Sequence, residues 1–254
     1  MNFSNDKKPG GNETGPDWLS RTRLLAGNDV LERLKSSNVL VVGLGGVGAY
    51  AAEMICRAGV GKMTIVDGDR VHPSNRNRQL IALKSNEGLP KAFLMGERLR
   101  NINPALDLTI INEYLKDDRM TEVLDMGFDY LVDAIDTLSP KVFLIRHAVS
   151  RKIPVVSSMG SGGKVDPLRI SICDISETTD CPLARILRKR LHKLGIRDGI
   201  TAVYSNEKTD KAKIIPTEGE PNKASIVGTI SYMPAAFGIA CSSVVIRDLG
   251  GISR

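Results

Sequence analysis

The chain has 254 residues, of which 42% are apolar, 25% charged and 4% aromatic, a make-up that excludes collagen-like, coiled-coil and wholly disordered architectures. Thirty-five Lys and Arg face 29 Asp and Glu, leaving a formal charge of +6 that favours a polyanionic partner. The four cysteines, Cys56, Cys173, Cys181 and Cys241, include no C-x-x-C pair, so neither a zinc ribbon nor a disulfide framework is supported and a reducing cytoplasm is the expected setting.

Residues 1–16 are polar and rich in Asn, Gly and Lys; they lack the apolar run of a signal peptide and read as a flexible tail. The rest, 17–254, is expected to form a single unit with a nucleotide-binding part over about 28–160 and a substrate-facing part over about 161–254. From residue 28 onward strand and helix signals alternate with short connections, which predicts a doubly wound, mainly parallel α/β sheet of Rossmann type with a C-terminal β-rich and helical extension. The run NVLVV at 38–42 is a buried strand, 47–58 a helix stopped by Gly59 and Gly61, and 62–66 the next strand. Pro90 opens a helix over 90–102, followed by a strand at 106–111, a helix at 118–126 and a buried strand at 130–134. Ser139-Pro140 starts a further helix that ends at Lys152, before a strand at 155–157.

Beyond the glycine cluster at 160–163 come a β-rich stretch at 168–173, a basic helix over 182–194 and a charged, aperiodic segment at 207–223 that reads as a mobile loop. The 21 residues 226–246 carry no charge, long enough to cross a bilayer on length alone. Pro234, Gly228, Gly238 and several hydroxyl residues dilute that stretch, so the expectation is a strand and then a buried or interface helix from about Pro234, with no membrane partner.

Gly43-Leu44-Gly45-Gly46-Val47-Gly48 falls between a strand and a helix, where glycines let backbone approach a phosphate and the helix start offers unpaired N–H groups. Asp67 ends the following strand 19 residues after Gly48, the place where a carboxylate accepts hydrogen bonds from ribose hydroxyls. NAD and ATP both fit that much. Just beyond lie Asp69 and then Ser74-Asn75-Arg76-Asn77-Arg78-Gln79, with Lys91 at the start of the Pro90 helix; two arginines and a lysine suit a triphosphate better than a single pyrophosphate. Asp136 follows a buried strand, where a carboxylate suits Mg²⁺, while Asp133 or Asp136 capping the next helix is the structural alternative. The helix over 182–194 sets Leu183, Ile186, Leu187, Leu191 and Leu194 on one face and leaves Arg185, Arg188, Lys189, Arg190, His192 and Lys193 as a stripe able to track phosphates. Cys56 and Cys241 sit in apolar helical patterns and read as core; Cys181, beside a helix start, is the one candidate for a reactive thiol. His147 reads as a helix residue and His72 as a loop residue near the nucleotide.

These motifs resemble the adenylating enzymes of ubiquitin-activating type, the ThiF, MoeB and HesA group, over about residues 21–249. The resemblance rests on Gly43, Gly45, Gly46, Gly48, Asp67, Asp69, Ser74, Asn75, Arg78, Gln79, Lys91 and Asp136. It implies ATP as substrate, Asp67 on ribose, Asn75, Arg78, Gln79 and Lys91 on the phosphates, and Asp136 on Mg²⁺. It further implies a homodimer in which Arg21 reaches the partner's triphosphate. Asn77-Arg78-Gln79, Gly88-Leu89-Pro90-Lys91-Ala92, Ile102-Asn103-Pro104 and Gly162-Gly163-Lys164-Val165-Asp166-Pro167 are most similar to the branch that dehydrates threonylcarbamoyladenosine in tRNA. That similarity implies tRNA binding by Arg185, Arg188, Lys189, Arg190 and Lys193, with a cysteine desulfurase or its sulfur acceptor as a candidate partner. The rival readings are an adenylyltransferase acting on the Gly-Gly end of a ubiquitin-like sulfur carrier, and a noncatalytic NAD-sensing module.

Overall fold

The computed structural model describes residues 17–208, 210, 212, 214–216 and 225–252; the expected tail at 1–16 and most of the expected loop at 207–223 lie outside them. Helices α1 (Ser20–Ala26) and α2 (Asn28–Ser36) lead into strand β1 (Asn38–Val42). There follow α3 (Gly48–Arg57), β2 (Lys62–Val66), α4 (Lys91–Ile102), β3 (Asp107–Ile111), α5 (Asp117–Leu124), β4 (Tyr130–Asp133), α6 (Leu138–Ser150) and β5 (Val155–Ser158). The chain continues through β6 (Ile170–Asp174), α7 (Pro182–Lys193), β7 (Thr201–Ser205), β8 (Ile214–Pro216), β9 (Ser225–Val227) and α8 (Tyr232–Gly250). The alternation expected from residue 28 is therefore present, with boundaries shifted by one or two residues.

The main sheet has seven strands in the order β3-β2-β1-β4-β5-β7-β6. All its pairings are parallel except β6 with β7, so the expected C-terminal extension continues the same sheet. Strand order reverses between β1 and β4, and ligands of such sheets collect at the carboxyl ends flanking that reversal. Because side chains alternate across a strand, β1 divides its apolar residues between two layers. Val39 and Val41 pack with Leu34, Ile55, Met63, Met95 and Phe237 beneath α2, α3, α4 and α8; Leu40 and Val42 pack with Met120, Leu144, Ile145 and Leu187 beneath α5, α6 and α7.

Two short strands differ from expectation. Thr201–Ser205 was not marked by any periodic signal yet becomes β7, fully enclosed between β5 and β6. Ile214–Pro216, inside the expected loop, pairs antiparallel with β9 as Ile214 opposite Val227; only the partner strand supplies its bonds, so no local pattern announces it. The uncharged stretch does form a strand and then a helix, β9 and α8, as expected. α8 is long and apolar enough to cross a membrane, but its Met233, Phe237, Cys241, Val244 and Val245 are fully buried in the core, and Gly238 brings it against the Val47 carbonyl and Tyr50. Burying five such side chains contributes on the order of 10 kcal/mol before entropy is counted.

Candidate active site

The site is assembled at the carboxyl ends of β1, β2 and β4. After β1 the chain turns at Gly43, whose φ of +91° suits a residue without a side chain, and a Cβ there would lie 2.7 Å from the Ala134 carbonyl oxygen after β4. A Cβ on Gly46 would meet Pro234 of α8 at 2.8 Å. Gly45 is different: the nearest atom to a Cβ there is Gln79 Nε2 at 3.6 Å, so close packing does not demand this glycine and the turn presents bare backbone toward Gln79. The Gln79 side chain is 9% exposed and its Oε1 has no partner. One buried polar atom beside the turn is therefore unmatched, and a bound polar ligand would complete it.

Asp67 directly follows β2 and ties the turn to the next loop. Its Oδ2 accepts from Leu44 N at 2.6 Å and its Oδ1 from Asp69 N at 2.7 Å. Burial pushes its carboxyl above the usual range, opposed by the charge of Lys91 and by those two amides. Lys91, in the first turn of α4 and buried, donates to Asp69 Oδ2 at 2.8 Å. Tyr114, three residues past the end of β3, donates its hydroxyl to Asp69 Oδ1. That bond, followed by burial and by the charges of Asp69, Asp67 and Asp136, pushes the phenol up to about 12, so the hydroxyl stays a donor at neutral pH. Tyr114 is a neighbour of the site that sequence reasoning does not reach.

The loop after β2 holds the remaining cations. Asn75 is buried and its Oδ1 accepts from His72 N at 3.0 Å, closing the turn from which Arg78 projects. Arg78 Nη1 donates to Ser74 O and Asn77 Oδ1, both at 2.8 Å. Burial lowers the pKa of this guanidinium, and the charge of Asp136 raises it. Arg76, the other arginine expected on a phosphate, pairs instead with Glu87 at 3.2 Å. His72 is engaged locally, its Nδ1 within 2.8 Å of Ser74 Oγ.

The two carboxylates after β4 part company. Asp133 is fully buried: its Oδ2 meets Lys141 Nζ at 2.7 Å and accepts from Ser157 Oγ at 2.7 Å, and its Oδ1 accepts from Ile135 N at 3.1 Å. Asp136 is exposed at the carboxyl edge. Asp133 is thus taken up by Lys141, Ser157 and the Ile135 amide and does not serve as the cap of α6, whose N-cap residue Thr137 makes no side-chain cap bond. Lys141, fully buried and also donating to the Ile135 carbonyl at 3.0 Å, fixes the loop that carries Asp136 and had no signal beyond its helical position.

Arg21 lies away from this cluster. It is exposed on α1, and Leu19 just before that helix packs on Gly59, which precedes the amino end of β2. The site is at the other ends of the strands, roughly 15 Å away along five residues of strand. On α7, Ala184, Leu187 and Leu191 are the buried stripe, while Ile186 and Leu194, expected on it, are exposed; a stripe at i, i+3 and i+7 is narrower than the five leucine and isoleucine positions suggested. Arg185, Lys189, His192 and Lys193 are exposed. Arg188 turns inward, its Nη1 donating to the carbonyl of Thr178 at 2.8 Å and to its hydroxyl, so it holds a turn and leaves the phosphate-facing row. Arg190 Nη1 donates to Ser139 Oγ at 3.0 Å, joining the basic helix to the start of α6, three residues past Asp136. Cys181 is buried at the N-cap of α7; burial pushes the thiols of Cys56 and Cys241 up to about 11 and about 12.

A glycine turn against the switch point, with carboxylates and cations of three loops on one edge, matches a known family. The ThiF family model matches residues 19–254. The chain belongs to the ThiF family. It is 37% identical over 244 residues to the tRNA threonylcarbamoyladenosine dehydratase of Bacillus subtilis, covering 91% of this chain and 94% of that one. The crystal structure of the Escherichia coli tRNA N6-threonylcarbamoyladenosine dehydratase in complex with ATP superposes with a TM-score of 0.82 at 33% identity, over 92% of this chain and 93% of that one. Similarity to the molybdopterin-synthase adenylyltransferase of Salmonella typhimurium is 37% over 126 residues, half of each chain.

Proposed function

We propose that the protein is an ATP-dependent dehydratase that closes a ring on the threonylcarbamoyl group of modified adenosine in tRNA. The observation that carries this reading is the convergence of Asp67, the Asp69–Lys91 pair, Arg78 and Asp136 on one edge of the sheet, in a chain similar to such dehydratases over nine tenths of its length. Similarity to the molybdopterin adenylyltransferases stops at half the chain, which weighs against the carrier-protein reading, and the triphosphate-suited cations weigh against an NAD module.

In this reading Asp67 accepts from the ribose hydroxyls with lone pairs its two backbone bonds leave over. The Gly45 turn and Gln79 take phosphate oxygens, and Lys91 and Arg78 neutralise the charge that grows as the substrate carboxylate attacks the α-phosphate and expels pyrophosphate. The carbamoyl group of the same side chain then attacks the activated carbonyl and AMP leaves; the oxygen lost from the nucleoside departs with AMP. Attacker and target share one small group, so effective molarity takes the place of a covalent enzyme nucleophile, and the buried thiols of Cys56, Cys181 and Cys241 have no step to perform. Among the described residues no three His, Cys, Asp or Glu side chains gather, so a magnesium ion would be held by Asp136 together with phosphate oxygens, as this ion usually is, and would offset charge on them.

Arg21 cannot serve its own site from the far edge, and Leu24 and Leu25 on the same helix are each 90% exposed. Both facts support a homodimer in which Arg21 of the partner subunit completes the cation set. The row Arg185, Lys189, Lys193, linked through Arg190 to the start of α6, is the proposed track for the tRNA backbone; a cytoplasmic setting, where tRNA and ATP meet, and a sulfur-transfer partner remain part of the same reading.

The test is to incubate the protein with ATP, Mg²⁺ and tRNA carrying threonylcarbamoyladenosine, digest gently and weigh the nucleoside. Loss of one water with release of AMP, absent in Asp136→Ala, is expected. An unchanged mass, with ATP–pyrophosphate exchange stimulated by a carrier ending in Gly-Gly, overturns the tRNA assignment.

A further inference from the structure

Arg78, a cation set against the phosphates, is itself held at one end of its guanidinium. Nη1 carries two protons, and both are placed: one on the Ser74 carbonyl and one on Asn77 Oδ1, each at 2.8 Å. A guanidinium is planar, so fixing Nη1 at two points fixes the direction of the opposite edge, Nε–H with Nη2, whose parallel donors match two oxygens of one phosphate. The Ser74 bond comes from backbone of the same turn. The Asn77 bond comes from a side chain with a second attachment.

That attachment lies in the far half of the chain. Asn77 Nδ2 donates to the Thr229 carbonyl at 3.0 Å, across 152 residues. Thr229 belongs to the link 228–231 between β9 and α8, and the link is tied down on both sides of it. The Gly228 carbonyl accepts from Gly163 N at 2.7 Å, Thr229 Oγ1 donates to the Val227 carbonyl at 3.0 Å, and the Tyr232 hydroxyl donates to the Val165 carbonyl at 2.8 Å. One amide thus joins the loop after β5 and the start of α8 to the arginine of the loop after β2. We propose that Asn77 is a positioning residue for the reaction: its amide oxygen aims the open edge of Arg78, and its amide nitrogen takes its own place from the 228–231 link. The substrate-facing part of the chain then sets the aim of a cation in the nucleotide-binding part. This rests on the role given to Arg78 and adds the residue that directs it.

The experiment compares wild type, Asn77→Ala, Arg78→Ala and the double variant on ATP, Mg²⁺ and tRNA carrying threonylcarbamoyladenosine. Asn77→Ala is expected to lower kcat for AMP release about 10- to 100-fold, the scale of a misplaced catalytic group, with KM for ATP changed by less than about threefold. Asn77 is exposed, so the urea unfolding midpoint is expected to stay where it is. The double variant is expected to be no slower than Arg78→Ala alone, since a residue that acts only through Arg78 has nothing left to lose there. Nitrogen relaxation of the Arg78 Nε–H, identified by its absence from Arg78→Ala, gives a readout without turnover: its order parameter falls in Asn77→Ala. Asn77→Ser, too short to span Arg78 and Thr229, repeats the comparison if Asn77→Ala unfolds early. Losses that add in the double variant overturn the proposal, because Asn77 then acts through the turn or the fold; so does an unchanged kcat or an unchanged order parameter. An Arg78→Ala variant as fast as wild type is a separate result, which removes the role of Arg78 and this proposal with it.

Discussion

The two halves of the sheet handle polar side chains in opposite ways. Around β1, β2 and β4 nearly every charged or amide group of the site is held by something else: Asp67 by the amides of Leu44 and Asp69, Asn75 by His72, Lys91 by Asp69, and the Asp136 loop from below by Lys141 and Asp133. Around β6, β7 and α7 the cations of the basic helix stand in solvent, with Arg188 and Arg190 as the tethered members. A transition state rewards charges fixed in advance, whereas a polyanion is bound by charges that need only be near it. The difference is the one expected on the proposed reading, in which the first half serves chemistry and the second contact.

Attacking the anchor beneath the first half gives the largest expected effect. Lys141 and Asp133 are 2.7 Å apart and fully buried, so Lys141→Ala strands a carboxylate in the core and should destabilise the protein by about 3–5 kcal/mol, measured by urea unfolding. A loss below about 1 kcal/mol would mean that water reaches this pair and that the first half is not held from within. Next is Arg78→Ala, expected to lower kcat/KM for the tRNA reaction about 100- to 1000-fold with unchanged unfolding midpoint. In the second half the triple substitution Arg185→Ala, Lys189→Ala, Lys193→Ala should leave ATP binding alone, weaken tRNA binding and reduce the slope of log K against log salt by about 2–3. If ATP binding fell as well, the division between the halves would not hold.

The smallest effect distinguishes how each half holds its own carboxylates. Burial works to raise the pKa of Glu53, but Arg98 and Arg57, at 2.5 and 2.8 Å, outweigh it and hold the carboxyl below its ordinary value. Asp174, in the second half, is likewise held low against burial, by Ser176 and the amides of Gly199 and Ile200. Both stabilise the fold above the ordinary carboxylate range, and both contributions are lost as pH falls through their depressed pKa values. Since cations are screened by salt more than fixed amides are, urea midpoints of Glu53→Gln and Asp174→Asn across that range should show the Glu53 contribution shrinking at about 1 M NaCl while that of Asp174 persists.

What could be read beforehand follows the same line of locality. The glycine turn, Asp67, Arg78 and Lys91 were legible because each is placed by the strand or helix it adjoins, and the sheet class followed from alternation along the chain. Tyr114 was not, because its 45-residue separation from Asp69 is closed only by β3 lying beside β2. Lys141 looked like one more helical lysine until β4 brought Asp133 beneath it. Arg188 departs from its expected place on the stripe because helical periodicity reflects its own helix and not the 175–178 turn that its guanidinium fills. Arg76 was assigned to phosphate on composition, and Glu87 claimed it.

The burial of α8 has a consequence for how the chain is made. Of the described elements α8 (Tyr232–Gly250) is the last to be synthesised, yet Met233, Phe237, Cys241, Val244 and Val245 complete the layer that β1 (Asn38–Val42), α3 and α4 begin much earlier in the chain. Until α8 leaves the ribosome, one face of the first βαβ unit is covered only in part, by α2, α3 and α4, and the Gly46 turn lacks the Pro234 that backs it. The nascent chain must therefore carry an exposed apolar face through most of its synthesis, the condition under which chains aggregate or engage chaperones. The phosphate turn, first of the site's segments to be made, would then be among the last to take its final form.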